Sequence, residues 1–161
     1  SAASDVYKRQ DMEEAGKEVG GLETVEEQLD IFDSMTTQEQ TAFLVAALDQ
    51  MEKSAKEHKS ILEGMIELYL EGDEQKLHDL MYAEFDPEDE LSVKLMTKLL
   101  DDRNVRMVDR LLERAGKDPE KTYFVAVGAA HYPGKTGILE LLEKNGKKVK
   151  RVEAPEPVKK G

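Results

Sequence analysis

Glu23, Arg103, Asn104 and His131 are the side chains whose type and setting could carry chemistry. His131 lies in YFVAVGAAHYPGKTG, residues 123–137, where an apolar run stops at Gly128 and the histidine follows three residues later. Glu23 closes a short segment that starts at Val19, and it stands immediately before Thr24. Arg103 and Asn104 interrupt the apolar stripe Met96, Leu100, Met107, Val108, Leu111 and Ala115 at helical spacing. A carboxylate and an imidazole are suitable ligands for a divalent metal, and the same groups serve as general acid and base. Each residue also has a plainer reading. An acid beside a helix N-terminus gains about 0.3–1 kcal/mol from the dipole alone. An arginine in an apolar stripe pairs with a core carboxylate or carries its head out to water, because an unpaired buried guanidinium is costly.

The elements that must position these groups follow from local pattern. The segment Val19–Glu23 reads as a short strand. Thr24 with Glu27 forms a capping-box signature that opens a helix carrying Leu29, Ile31, Phe32 and Met35. Thr37 with Gln40 repeats the cap and starts a long helical stretch to about Leu70, polar all round over Glu52–Ser60. Gly72 suits the residue just past a helix end, and Asp73–Tyr82 forms a shorter helix. Asp86-Pro87 reads as an N-cap with proline in the first turn, opening a helix that runs to Ala115 and stops at Gly116. Beyond it, Thr122–Val127 reads as a strand, Thr136–Asn145 as a helix ended by Gly146, and Lys148–Val152 as a second strand. A helix between two strands predicts a parallel pair with a right-handed crossover. The fold expected is α/β: a small, partly parallel sheet covered by a large helical section. Glu23, Arg103 and His131 are expected to meet in one cleft at the strand ends, where open α/β sheets bind ligands.

Composition removes several function classes. The 161 residues fit one domain. Asp plus Glu outnumber Lys plus Arg, 35 to 23, for a net charge of −12, which argues against a nucleic-acid binder and against an anionic membrane surface. With no cysteine, the chain has no disulfide frame, thiolate metal site or thiol nucleophile. No apolar run approaches the roughly 20 residues of a membrane span. Ser1–Gln10, SAASDVYKRQ, resembles a translated sequencing-adaptor tail and is set aside, leaving a domain over 11–153 and a frayed, charged tail over 154–161.

The motifs together resemble the TraB/GumN family. Gly21-Leu22-Glu23-Thr24 with Glu27-Gln28-Leu29 is similar to its GLE-T-x-x-E-Q segment. Leu70-Glu71-Gly72-Asp73 with Leu77 resembles its W/Y-x-x-GD-x-x-x-L segment, and Asp102-Arg103-Asn104 with Met107 its E-R-N-x-x-M segment. Val127–His131, Pro133-Gly134, Gly137-Ile138 and Leu141-Leu142 resemble its final GxxH block. The ordered set, from about Gly20 to Val152, carries the resemblance; no single motif does.

That family belongs with Tiki-like metalloproteases and has two GxxH motifs separated by acidic residues. The resemblance implies hydrolysis of a peptide or similar bond, supported by a divalent metal such as Mn, Co or Zn. Such a metal polarises a carbonyl and lowers the pKa of a bound water. By the same resemblance His131 is a metal ligand or catalytic histidine, Glu23 its acidic partner at the metal, and Arg103 and Asn104 line the site. The first GxxH is absent: the residues three before His58 and His78 are Ala55 and Gln75, and both histidines are expected to be solvated. The chain therefore reads as the C-terminal part of the family domain, inactive alone, with an upstream strand and any targeting signal outside it. The uncovered sheet edge is then expected to promote self-association.

The sequence also suggests two other readings. Gly128, Gly134, Lys135 and Thr136 imitate a phosphate-binding loop, but five residues separate the glycines where four are needed, and Pro133 removes an N–H. The second is a non-catalytic binding or carrier protein for metal, haem or a protein partner, although no histidine pair or methionine cluster marks a haem pocket.

Overall fold

The computed structural model describes residues 9–57, 61–83 and 86–152. Residues 9–14 are helical. The helices that follow are α1 Val25–Asp33, α2 Thr37–Glu57, α3 Ile61–Glu71, α4 Glu74–Ala83, α5 Glu90–Met96, α6 Asp102–Lys117 and α7 Ile138–Lys144. A π-helical segment, Thr97–Asp101, joins α5 to α6, and a 3-10 turn, Ala129–His131, precedes α7.

Local chemistry explains most boundaries. Thr24 caps α1 with the full reciprocal pair: Glu27 N donates to Thr24 Oγ1 at 3.2 Å, and Thr24 N donates to Glu27 Oε2 at 2.8 Å. The cap of α2 is built by Thr36 and Glu39, one residue before the expected Thr37 and Gln40. The Glu39 carboxylate is a stronger acceptor than an amide; Gln40 instead donates back to Phe32 O at 3.1 Å. Gly72 closes α3 with φ +72°. Gly72 N bonds to Tyr69 O and Asp73 N to Leu68 O, the paired bonds of a Schellman end. Asp73 then caps α4 by accepting from Lys76 N at 3.0 Å. The expected long helix is α2 plus α3, described on either side of residues 58–60.

The helix expected from Asp86-Pro87 begins later, at Asp89, whose carboxylate accepts from both Ser92 N and Ser92 Oγ. Asp86 is spent on a turn, accepting from Glu88 N at 2.8 Å. Only Asp89 has a hydroxyl three residues on to complete its cap. The helix then runs through the π segment, where Asp102 N reaches Thr97 O, and continues past Gly116 to Lys117.

The α/β expectation is overturned. Among the described residues there is no strand, hence no sheet, no parallel pair and no crossover. Residues 17–21, 122–128 and 147–152 are irregular. A strand exists only where a neighbour completes its ladder, and these segments exchange no such bonds. Their apolar residues are also not buried as a central strand's would be: Phe124 and Val152 are each 85% exposed. Among the described residues there is therefore no sheet edge, and the expected self-association through one has no support there. The 154–161 tail lies outside the described residues.

The core is built on the inner face of α6. Met107 and Val108 pack with Ile138 of α7, and Leu22, Leu112, Val127, Leu141 and Leu142 surround them. Burying each such side chain contributes about 1.5–3 kcal/mol. Leu22 and Val127 tie the two irregular segments bearing Glu23 and His131 onto that helix.

Candidate functional site

Glu23 sits in the bend between Leu22, anchored in the core, and Thr24, fixed as the α1 cap. That placement drives its carboxylate onto the first turn of α6. Arg103 Nε donates to Glu23 Oε1 and Nη2 to Oε2, both at 2.8 Å, while Nη1 donates to Leu99 O at 3.0 Å. The Glu23 side chain is 7% exposed and that of Arg103 18%. The polar break in the stripe is thus resolved by a two-pronged ion pair with a nearly buried carboxylate.

Asn104, one residue on, is 2% exposed and meets His131, which is 7% exposed. His131 Nδ1 lies 2.6 Å from Asn104 Oδ1, and Asn104 Nδ2 donates to Thr136 O at 2.9 Å. The second contact turns the amide so that its oxygen faces the ring. An amide oxygen only accepts, so the proton of neutral His131 is on Nδ1 and Nε2 keeps its lone pair.

The approach of the 20–27 segment is held by a row of arginines one helical turn apart. Arg110 pairs with Glu27 and also donates to Leu22 O at 2.7 Å; Arg114 donates to Gly21 O at 2.6 Å. Glu27 therefore serves the α1 cap and α6 together, and these bonds bring its pKa down to about 2.

The loop from Gly128 to Gly137 needs glycine at two places. A Cβ on Gly137 would lie 2.2 Å from Pro133 O. Gly134 has φ +88°, and a Cβ there would lie 2.6 Å from His78 Nε2. His78, expected to be solvated, is half-buried against this loop and stacks on Tyr82 at 4.1 Å. Asp101, at the end of the π segment, accepts from Thr136 Oγ1 at 2.7 Å and from Tyr82 Oη at 3.5 Å.

Charge and burial act in opposite senses on the two acid–base groups. The hydrogen bonds from Arg103, aided by its charge and more weakly by His131 and Arg106, hold the Glu23 carboxyl below its ordinary range against the opposing effect of burial. Burial, then the charge of Arg103, pushes His131 down; Glu23 opposes this in part. The downward shift makes both groups weaker bases; it keeps the carboxyl ionised and favours the neutral imidazole, whose Nε2 lone pair is then open to a proton.

All four residues named from sequence come together, as two adjacent pairs, Glu23–Arg103 and Asn104–His131, without the strands expected to deliver them. His58 lies outside the described residues. Sequence reading missed His78, Asp101, Thr136 and Arg110. Asp101 could have been found as the residue one turn before Asn104 on the same helical face; the other three carry no local signal. A catalytic metal usually takes about three protein ligands. Among the described residues no three His, Cys, Asp or Glu side chains converge, and both Glu23 oxygens already carry Arg103. These residues do not by themselves fit a hydrolytic metal centre.

A helical frame that buries a histidine on an asparagine beside an arginine-bound glutamate is the candidate functional site. The TraB/PrgY/gumN family model matches residues 1–151, and the chain belongs to that family. It is 25% identical to the metalloprotease TIKI1 of Homo sapiens over 174 residues, covering 98% of this chain and 34% of that protein. It is also 25% identical to a metalloprotease TIKI homolog of Amphimedon queenslandica, covering 96% of this chain and 33% of the relative. The metalloprotease TIKI1 of Danio rerio is 26% identical over 170 residues. The chain spans about a third of the length of these relatives. No solved structure matches it.

Proposed function

We propose that this chain contributes the His131 side of a peptidase-like hydrolytic site. The observation that carries the reading is the buried line from Thr136 O through Asn104 to His131 Nδ1, which leaves Nε2 as the free acceptor. In this role His131 Nε2 takes or holds a proton at the scissile group. Asn104 fixes the ring and its tautomer, and Arg103 supplies fixed positive charge held in place by Glu23. Membership of the family and likeness to proteins named metalloproteases support peptidase-like chemistry.

Peptide-hydrolysis assays, on this chain and on the complete product of its gene, test the proposal. Turnover that disappears in His131→Ala supports it, and turnover unchanged in that variant overturns it. The rival reading is a non-catalytic binding protein. It is favoured by the apolar side chains exposed along α2 and α3, among them Leu48, Met51, Leu62 and Leu70, and it requires no turnover in either preparation.

A further inference from the structure

The Asn104–His131 contact depends on one carbonyl, that of Thr136, and Thr136 is not part of any helix. Something must keep that carbonyl on Asn104 Nδ2, because a peptide unit in a loop rotates easily. Wrapping of the loop does part of the work: Gly137 N bonds to Gly134 O at 3.0 Å, and glycine at 137 lets Tyr132 and Pro133 O close in. The remaining restraint comes from the opposite side. Thr136 Oγ1 donates to Asp101 Oδ1 at 2.7 Å, a charge-assisted bond shorter than most. Asp101 ends the π-helical segment, and it also receives Tyr82 Oη from α4. Asn104 lies three residues after Asp101, on the same face of the same continuous helix. One helix therefore grips Thr136 twice, by its hydroxyl through Asp101 and by its carbonyl through Asn104. π segments recur at functional sites because they re-aim the side chains around them.

We propose that Asp101 is the positioning residue of the His131 site, acting through Thr136 and Asn104 to fix which imidazole nitrogen carries the proton. Tyr82 steadies Asp101 from α4. The inference deepens the hydrolytic reading above, and its test reads His131 directly without turnover.

Nitrogen-15 NMR of the whole chain, labelled at histidine and held where His131 is neutral, reports the tautomer. Native protein shows His131 as Nδ1–H. In Asp101→Ala and in Thr136→Val the ratio of Nδ1–H to Nε2–H falls by roughly two- to tenfold, the range one net hydrogen bond spans. Asp101→Asn and Thr136→Ser each keep an acceptor or a hydroxyl and restore the native ratio, which a loss of bulk or fold would not do. The double variant Asp101→Ala/Thr136→Val shifts no further than either single one. A native ratio in both Asp101→Ala and Thr136→Val overturns the inference, as does a native His131 that is Nε2–H. Should Asp101→Ala fail to fold, Thr136→Val against Thr136→Ser decides alone. Absence of hydrolysis by the complete product of the gene would count against the hydrolytic reading and leave this result standing.

Discussion

Arg103 grips Glu23 with two parallel hydrogen bonds of 2.8 Å, and 80 residues of chain separate the partners. The pair joins the bend before α1 to the first turn of α6, next to Asn104, which holds His131 by its ring, so it is a structural tie and a source of fixed charge together. Such a pair is weak evidence for net stability, because desolvation of both ions offsets their attraction. Its removal by halves is another matter.

Arg103→Met is expected to destabilise the chain by about 3–5 kcal/mol, since it leaves the Glu23 carboxylate buried without a partner. Glu23→Gln in the same background should recover much of that loss, because a neutral amide tolerates burial better than a lone charge. Arg103→Lys should fall between, as an ammonium cannot reproduce the planar fork. Urea unfolding with an unchanged m value measures all three. A midpoint for Arg103→Met equal to that of the native chain contradicts the assignment.

Stability should fall in acid in two steps. Glu23 is held below its ordinary 4.5 and His131 below its ordinary 6.5. For both, the unfolded chain binds the proton more tightly, so unfolding takes up protons and stability rises with pH between the folded and unfolded values. The His131 contribution is complete above pH 6.5 and is lost as pH drops through its lower folded value; that of Glu23 is complete above pH 4.5 and is lost below it. Thermal midpoints across this range should show an upper step absent from His131→Gln and a lower step reduced in Glu23→Gln. The surface pair Glu27–Arg110 also weakens in acid, so the lower step shrinks without vanishing. A level midpoint from 6.5 down to 4.5 in the native chain contradicts the His131 part.

What the sequence disclosed divides along the range of the interactions. The Thr24 cap, the Gly72 stop and the Arg103-Asn104 break in the α6 stripe are set by residues within a turn of each other, and all were legible. The choice of Asp89 over Asp86 turned on a serine three residues on, also local but outweighed in the reading by Pro87. The strands failed because an apolar run such as 122–127 states only that a segment could pair, while a strand needs a second segment at ladder distance. The fit of His78 under Gly134 and the reach of Asp101 to Thr136 cross between elements, and neither leaves a mark in local pattern. The polar break pointed to the right residues but not to their pairing. An ion pair with an unspecified core carboxylate is one of the plain alternatives at the sequence level, and the geometry selects it and shows the carboxylate to be that of Glu23.

Gly134→Ala should disorder the His131 loop on two counts. Its φ of +88° disfavours any side chain, and the new methyl would meet the His78 ring at 2.6 Å. Adding His78→Ala relieves the contact but not the dihedral, so it should restore only part of the lost stability. Full recovery would mean that φ costs nothing here, and no recovery would mean that His78 does not press on the loop. Proton–nitrogen spectra should place the largest shifts at residues 128–137 in the single variant.

Metal binding gives the last expectation. A hydrolytic metal needs about three protein donors and an open position, and this chain brings His131 Nε2 and a carboxylate already clasped by Arg103. Arg103 also places a positive charge where a cation would have to sit, and Asn104 has both ends of its amide committed. Calorimetric titration of this chain with manganese, cobalt and zinc should therefore show no single site of micromolar or tighter affinity, and no peptide turnover should accompany the metal. Arg103→Gln frees the Glu23 oxygens and removes the charge, so any weak zinc binding should strengthen in that variant and disappear when His131→Ala is added. Tight, one-to-one binding by the native chain that His131→Ala abolishes would show that Glu23 leaves Arg103 for the metal, and the pair would then be a gate on the site and not its frame.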